Sequence, residues 1–132
     1  MKQLLDQIKE HEGFSSKLYR CPEGKLTIGY GFNVEAGITE EQATALLAQQ
    51  IIDVCRTCSK EFKWFDGLPD NKKRVVADMV FNMGMGRFKG FKKMIKAIEK
   101  EDYEEAAKQM LDSKWAAQVG KRAITLSEQM LK

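Results

Sequence analysis

The chain is poor in the residues that mark special architectures. It has 2 prolines and 10 glycines in 132 residues, which excludes collagen-like and linker-dominated chains. It has one histidine, His11, which any Ser-His-Asp or Cys-His catalysis would need, and its charged neighbours at a helix end favour a surface position over that role. Metal sites need several His, Cys or carboxylate ligands. Cys55 and Cys58 supply two with no second pair, so they read as small core residues, and no metal or cofactor is expected. With Cys21 they make three cysteines, an odd number, expected as free thiols in a reducing compartment. No apolar run approaches the roughly 18 residues of a membrane span, and no stable membrane insertion is expected. The segment MKQLLDQIKEHEG is charged throughout and lacks the apolar centre of a signal peptide, which predicts a protein folded in the cytoplasm.

Charge of one sign is scarce too. Twenty-two basic residues against 19 acidic ones leave a net charge of +3. A dedicated nucleic-acid binder carries a clustered basic stripe, and the longest like-charge run here is Lys72, Lys73 and Arg74, which reads as a solvated helix face. No nucleic-acid partner is expected. The weak positive bias suits a polyanionic surface such as a bacterial envelope. Hydrophobic residues at 43% and charged residues at 31% describe an ordinary globular chain with enough apolar material for a core.

Apolar periodicity predicts a helix over 2–12, with Leu4, Leu5 and Ile8 on one stripe and Gly13 as its stop. Segment 14–35 is different. Cys21-Pro22-Glu23-Gly24 is a turn signal, and Leu26 to Phe32 is rich in β-branched and aromatic residues, so a hairpin and a third short strand are expected. Thr39 and Gln42 form a capping box for a helix reaching about Lys60. A buried helix starts at Leu68-Pro69-Asp70 and carries Val75, Val76, Met79, Val80 and Met83. Shorter helices follow: one with Phe91, Met94, Ile95 and Ile98, one capped by Asp102 with Glu105, and a last one capped by Ser113, with Trp115, Val119 and Leu126 on one side. The pattern is that of an α+β fold. It has a small antiparallel β lobe at about 14–37, a connecting helix at 38–60, and a helical lobe from 1–13 and 61–132.

Two charged residues break the apolar pattern. Glu12 continues the stripe of Leu5 and Ile8 into the last helical turn. On this feature alone the favoured reading is a frayed helix end with Glu12 in water. The competing one is a buried carboxyl, which burial and the helix dipole both disfavour as a carboxylate. A carboxyl kept protonated in this way serves as a general acid. Arg122 falls seven residues after Trp115, on the apolar face if the helix continues through Gly120. On its own it reads first as a snorkelling arginine; a buried arginine would need a partner, and Glu12 is a candidate. Asp78, among Val and Met residues, reads as the far side of its helix and only weakly as a second acid.

The stretch HEGFSSKLYRCPEGKLTIGYGFN resembles the catalytic segment of the phage-type lysozymes, glycoside hydrolase family 24. In that family a glutamate ends the first helix and precedes a glycine. Eight residues separate it from an aspartate or cysteine, and five more lead to a threonine in a T-I-G-x-G strand. Glu12, Gly13, Cys21, Thr27, Gly29 and Gly31 occupy those positions. Ile38-Thr39, the block Met79 to Gly84, Gly90-Phe91, Tyr103 to Ala107, Ser113 to Trp115, Gln118 and Arg122 extend the resemblance over almost the whole chain.

The resemblance implies an endolysin that hydrolyses the β-1,4 bond between N-acetylmuramic acid and N-acetylglucosamine in peptidoglycan, acting as a monomer. It makes Glu12 the general acid, Cys21 and Thr27 the groups that handle the attacking water, and Arg122 a support for Glu12. Gly31, Phe81, Asn82 and Gln118 become candidate sugar contacts, with core packing as the competing role for Phe81. The enzyme would reach the wall through a holin-type lesion. Cysteine at position 21 leaves three roles open: a partly ionised thiol, which is favoured, a neutral water-positioner, and a covalent nucleophile. It also motivates a second reading, a catalytically impaired relative that binds peptidoglycan. The chain is shorter than the larger members of the family, chiefly around 33–38 and at the C-terminus, which predicts a more open cleft.

Overall fold

A computed structural model of the chain describes residues 1–132. Helix α1 spans Lys2–Glu12, and a three-stranded antiparallel sheet follows in the order β1 (Ser15–Arg20), β2 (Leu26–Gly29), β3 (Phe32–Asn33). A 3-10 turn at Val34–Ala36 leads to α2 (Glu40–Glu61), α3 (Asp70–Met83), α4 (Met85–Phe88) and α5 (Lys92–Glu99). The chain ends in α6 (Tyr103–Leu111), α7 (Lys114–Val119) and α8 (Lys121–Leu131). This is the α+β class that the sequence pattern predicts.

The chain divides into two compact units, Met1–Leu46 and Leu47–Lys132. Residues 1–13 group with the sheet in the first unit, whereas the sequence pattern places them with 61–132.

Local chemistry explains most element ends. The Thr39 backbone N–H donates to Gln42 Oε1 at 2.9 Å and the Gln42 N–H donates to Thr39 Oγ1 at 3.1 Å, a reciprocal capping box at the start of α2. The Asp102 carboxylate accepts from the Glu105 N–H, and the Ser113 hydroxyl accepts from the Ala116 N–H, each at 3.1 Å. Strand β1 pairs with β2 through Tyr19 opposite Thr27 and Arg20 opposite Leu26, and β2 pairs with β3 through Ile28 opposite Phe32.

The C-terminal unit contains the apolar core. Phe88, Met79, Met94, Ile98, Met110 and Met130 are its largest fully buried side chains, from α3 through α8. Helix α3 buries Val75, Val76, Met79 and Val80, as its nearly continuous apolar face predicts. Two local features differ from the sequence pattern. A single turn, α4, stands between Gly84 and the next helix. The last predicted helix is two helices, broken at Gly120, whose φ of 58° is a left-handed conformation that glycine adopts without penalty. In the N-terminal unit, α1 buries none of its side chains.

Candidate active site

Glu12 is the last residue of α1, and the helix stops at Gly13, which takes a φ of 70° and bonds back to the Lys9 carbonyl. The end of α1 docks on the turn between β2 and β3. Lys9 Nζ lies 5.4 Å from the centre of the Tyr30 ring, and the Phe14 ring packs against the same tyrosine at 5.4 Å between centroids. These two contacts bring the Glu12 carboxyl over Gly31. A Cβ at Gly31 would stand 2.7 Å from Glu12 Oε2. Gly31 also has a φ of 81°, so two independent constraints require glycine there. Glu12 itself is exposed, and its close neighbour is backbone. The burial among apolar side chains that its stripe position predicts is not what positions it.

Cys21 and Thr27 meet on the β1–β2 hairpin. The loop Cys21-Pro22-Glu23-Gly24 is a β-turn closed by the Gly24 N–H donating to the Cys21 carbonyl at 2.8 Å. Proline at its second position supplies the φ the turn needs. The Lys25 carbonyl then accepts twice, from the Cys21 N–H at 2.9 Å and from the Thr27 hydroxyl at 2.8 Å. One backbone oxygen therefore ties the two predicted water-handling residues together. Thr27 is buried and Cys21 half-buried. Glu35, from the 3-10 turn, accepts from the Leu26 N–H at 2.6 Å and pins the strand start beside Thr27.

Sequence reasoning missed one group on this hairpin. The Cys21 thiol donates to the Glu23 carboxylate, with Sγ to Oε2 at 3.3 Å. The Pro-Glu-Gly turn was the available signal, because a tight turn folds its third side chain back toward its first.

The other predicted residues belong to the C-terminal unit. Arg122 Nε and one terminal nitrogen both bond Asp78 Oδ1, at 2.8 and 2.6 Å, with both side chains about 40% exposed. Asp78 thus bridges α3 to α8, and Arg122 is a half-exposed ion-pair member on a separate helix, because Gly120 ends α7 before it. Asn82 Oδ1 accepts from the Trp115 indole N–H at 2.8 Å. This satisfies the polar edge of a buried tryptophan. Phe81 is 42% exposed, which argues against core packing. It lines an apolar groove of about 1150 Å³ with Leu47, Ile51 and Phe65, beside Arg122. Gln118 lines a smaller cavity of about 570 Å³ with Met83, Phe91 and Trp115.

Cys58 is buried in the core, where burial first and the neighbouring Cys55 second push its thiol up from 9.0 to about 11. No three His, Cys, Asp or Glu side chains cluster to hold a metal ion. No helix is long and apolar enough to cross a membrane.

A helix end carrying an acid and a hairpin carrying a thiol and a threonine, joined in sequence to a helical unit, match the layout that the resemblance to phage-type lysozymes implies. The family model for phage lysozyme matches residues 9–129, and the chain belongs to that family. It is 33% identical to an endolysin of Acyrthosiphon pisum secondary endosymbiont phage 1, over 87% of this chain and 80% of that one. It is similar as well to two Dictyostelium discoideum proteins named as probable T4-type lysozymes. They are 27% and 28% identical, across 91% and 89% of this chain and 88% and 87% of theirs.

Proposed function

We propose that Glu12, Cys21 and Thr27 are the catalytic groups of this chain and that it cleaves peptidoglycan with inversion. As a phage lysozyme the chain is a glycoside hydrolase acting on the β-1,4 bond between N-acetylmuramic acid and N-acetylglucosamine. Inverting cleavage needs an acid on the leaving oxygen and an activated water on the opposite face of the sugar. Glu12 gives its proton to the glycosidic oxygen, while Cys21 and Thr27 hold the water that attacks the anomeric carbon.

The observation that carries this reading is the convergence of backbone anchors in one small unit. Glu12 is set over Gly31, and Cys21 and Thr27 share the Lys25 carbonyl. Side chains held by turns and caps keep their geometry without a surrounding core, which is what positioned catalysis requires. The Thr27 hydroxyl proton is committed to Lys25, so toward water its oxygen acts as an acceptor. Arg122 supports Glu12 in this reading, and Gly31, Phe81, Asn82 and Gln118 contact sugar. The enzyme works as a monomer and reaches the wall through a holin-type lesion.

Loss of turbidity of purified peptidoglycan tests the reading, with wild type, Glu12→Gln, Cys21→Ser and Cys21→Asp compared side by side. Clearing by wild type and none by Glu12→Gln is the expected result. Loss in Cys21→Ser with activity kept in Cys21→Asp shows that position 21 must handle a proton. NMR of the first product distinguishes inversion from covalent attack by Cys21, which would retain the anomeric configuration. A wild type that pellets with the wall without clearing it is the impaired binder instead.

A further inference from the structure

The proposed chemistry leaves a proton without a destination. Water attacking the anomeric carbon must lose one, and a general base must receive it. Glu12 is spent on the leaving oxygen. Thr27 donates its hydroxyl proton to an amide carbonyl, which is no base, so it cannot pass a proton on. Cys21 is the remaining group, and its thiol already points its proton at a carboxylate, Glu23 Oε2, 3.3 Å from Sγ.

We propose that Glu23 is a positioning residue for catalysis, orienting the Cys21 thiol and taking up through it the proton released by the attacking water. This rests on the muramidase reading above and deepens it. In the step, the water oxygen bonds the anomeric carbon as the bond to the leaving oxygen breaks. Glu12 protonates that oxygen. The water proton passes to Cys21 Sγ while the thiol proton passes to Glu23. Glu12 ends ionised and Glu23 protonated, and since both side chains are exposed, solvent resets them.

The turn is built to hold this pair. Pro22 fixes one dihedral, the Gly24 N–H closes the turn on the Cys21 carbonyl, and the Arg20 guanidinium donates to the Gly24 carbonyl at 2.9 Å. Gly24 takes a φ of 80°, which suits glycine at the end of the turn. Besides Glu23 and the Cys21 thiol, the hairpin carries Lys17, Tyr19, Arg20 and Lys25 as titratable or charged groups, and Glu35 reaches it at the Leu26 N–H.

The test is steady-state hydrolysis of solubilised peptidoglycan chains by wild type, Glu12→Gln, Glu23→Gln, Cys21→Asp and the double variant Cys21→Asp/Glu23→Gln. Thermal melting checks that each variant is folded. Glutamine keeps a hydrogen-bond acceptor for the thiol but cannot take its proton. Glu23→Gln is expected to lower kcat about 100-fold, the low end for loss of a general base, with KM unchanged and the acidic limb of the pH profile lost. In the double variant, aspartate at position 21 receives the proton directly, so its kcat should equal that of Cys21→Asp alone. Wild-type kcat in Glu23→Gln, beside a dead Glu12→Gln, overturns the relay and leaves the muramidase reading intact. A double variant as slow as Glu23→Gln also overturns it, because Glu23 would then serve the turn and not the proton. Equal rates in wild type and Glu12→Gln sink the muramidase reading and the relay with it.

Discussion

The two units are built on different physics. Every buried apolar side chain of the core lies between Cys58 and Met130, in the C-terminal unit. In the N-terminal unit the one fully buried side chain is Thr27, a polar residue. The C-terminal unit is held by close packing of Met, Phe, Val and Ile from five helices, α3, α4, α5, α6 and α8. The N-terminal unit is held by caps, turns and shared carbonyls, each contributing roughly 1 kcal/mol. All three proposed catalytic groups sit in the thinly packed unit. Regions of low local stability are where functional loops are drawn from, and here backbone geometry supplies the order that packing does not.

That contrast is open to direct attack. The largest expected effect is on the core. Phe88 is fully buried and meets the rings of Phe62 and Phe91. Phe88→Ala should lose about 3–5 kcal/mol in denaturant unfolding, while kcat per folded molecule stays near wild type. A collapse of kcat in the folded fraction would mean that the core reaches the chemistry after all.

Cys58 sharpens the same point through pH. Its folded thiol is raised from 9.0 to about 11. The folded state therefore holds this proton more tightly than the unfolded one, and the stability it contributes is complete below about pH 9. It is lost as the pH climbs toward 11. Cys58→Ala should flatten that alkaline decline. At pH 8 iodoacetamide should label Cys21 and Cys55 well before Cys58.

Gly31→Ala is designed to break the separation inside the N-terminal unit. A side chain at a φ of 81° costs roughly 1–2 kcal/mol, and its Cβ would displace the Glu12 carboxyl, 2.7 Å away. Activity should fall far more than melting temperature. Unchanged activity would show that the acid does not depend on that turn.

Arg122→Ala is the mildest stability test. Its pair with Asp78 is about 40% exposed on each side, so the loss should stay under about 1 kcal/mol. In the proposed mechanism kcat nevertheless drops, because Arg122 supports the acid. A variant matching wild type in both rate and stability removes Arg122 from the site.

Much of the fold was legible locally. The Thr39–Gln42 box, the Asp102 and Ser113 caps, the Pro22 turn and the apolar face of α3 all depend on residues within a few positions of one another. The spacing of Glu12, Cys21 and Thr27 was legible for the same reason, since one helix end and one hairpin carry all three. The break at Gly120 and the single turn of α4 were less so, because a glycine marks a place where a helix can stop without deciding that it does.

By itself, then, the sequence determined the α+β class and most of the element order, because periodicity, capping and turn formation act over short stretches of chain, while the candidate catalytic groups Glu12, Cys21 and Thr27 came from its resemblance to the phage-type lysozymes. Only the tertiary structure decided which partners the polar side chains took. Arg122 bonds Asp78, 44 residues away, and Asn82 serves the Trp115 indole, 33 residues away. Several groups of the right charge or polarity compete for each of these partners, and the geometry that brings one within hydrogen-bond reach exists only after the helices pack.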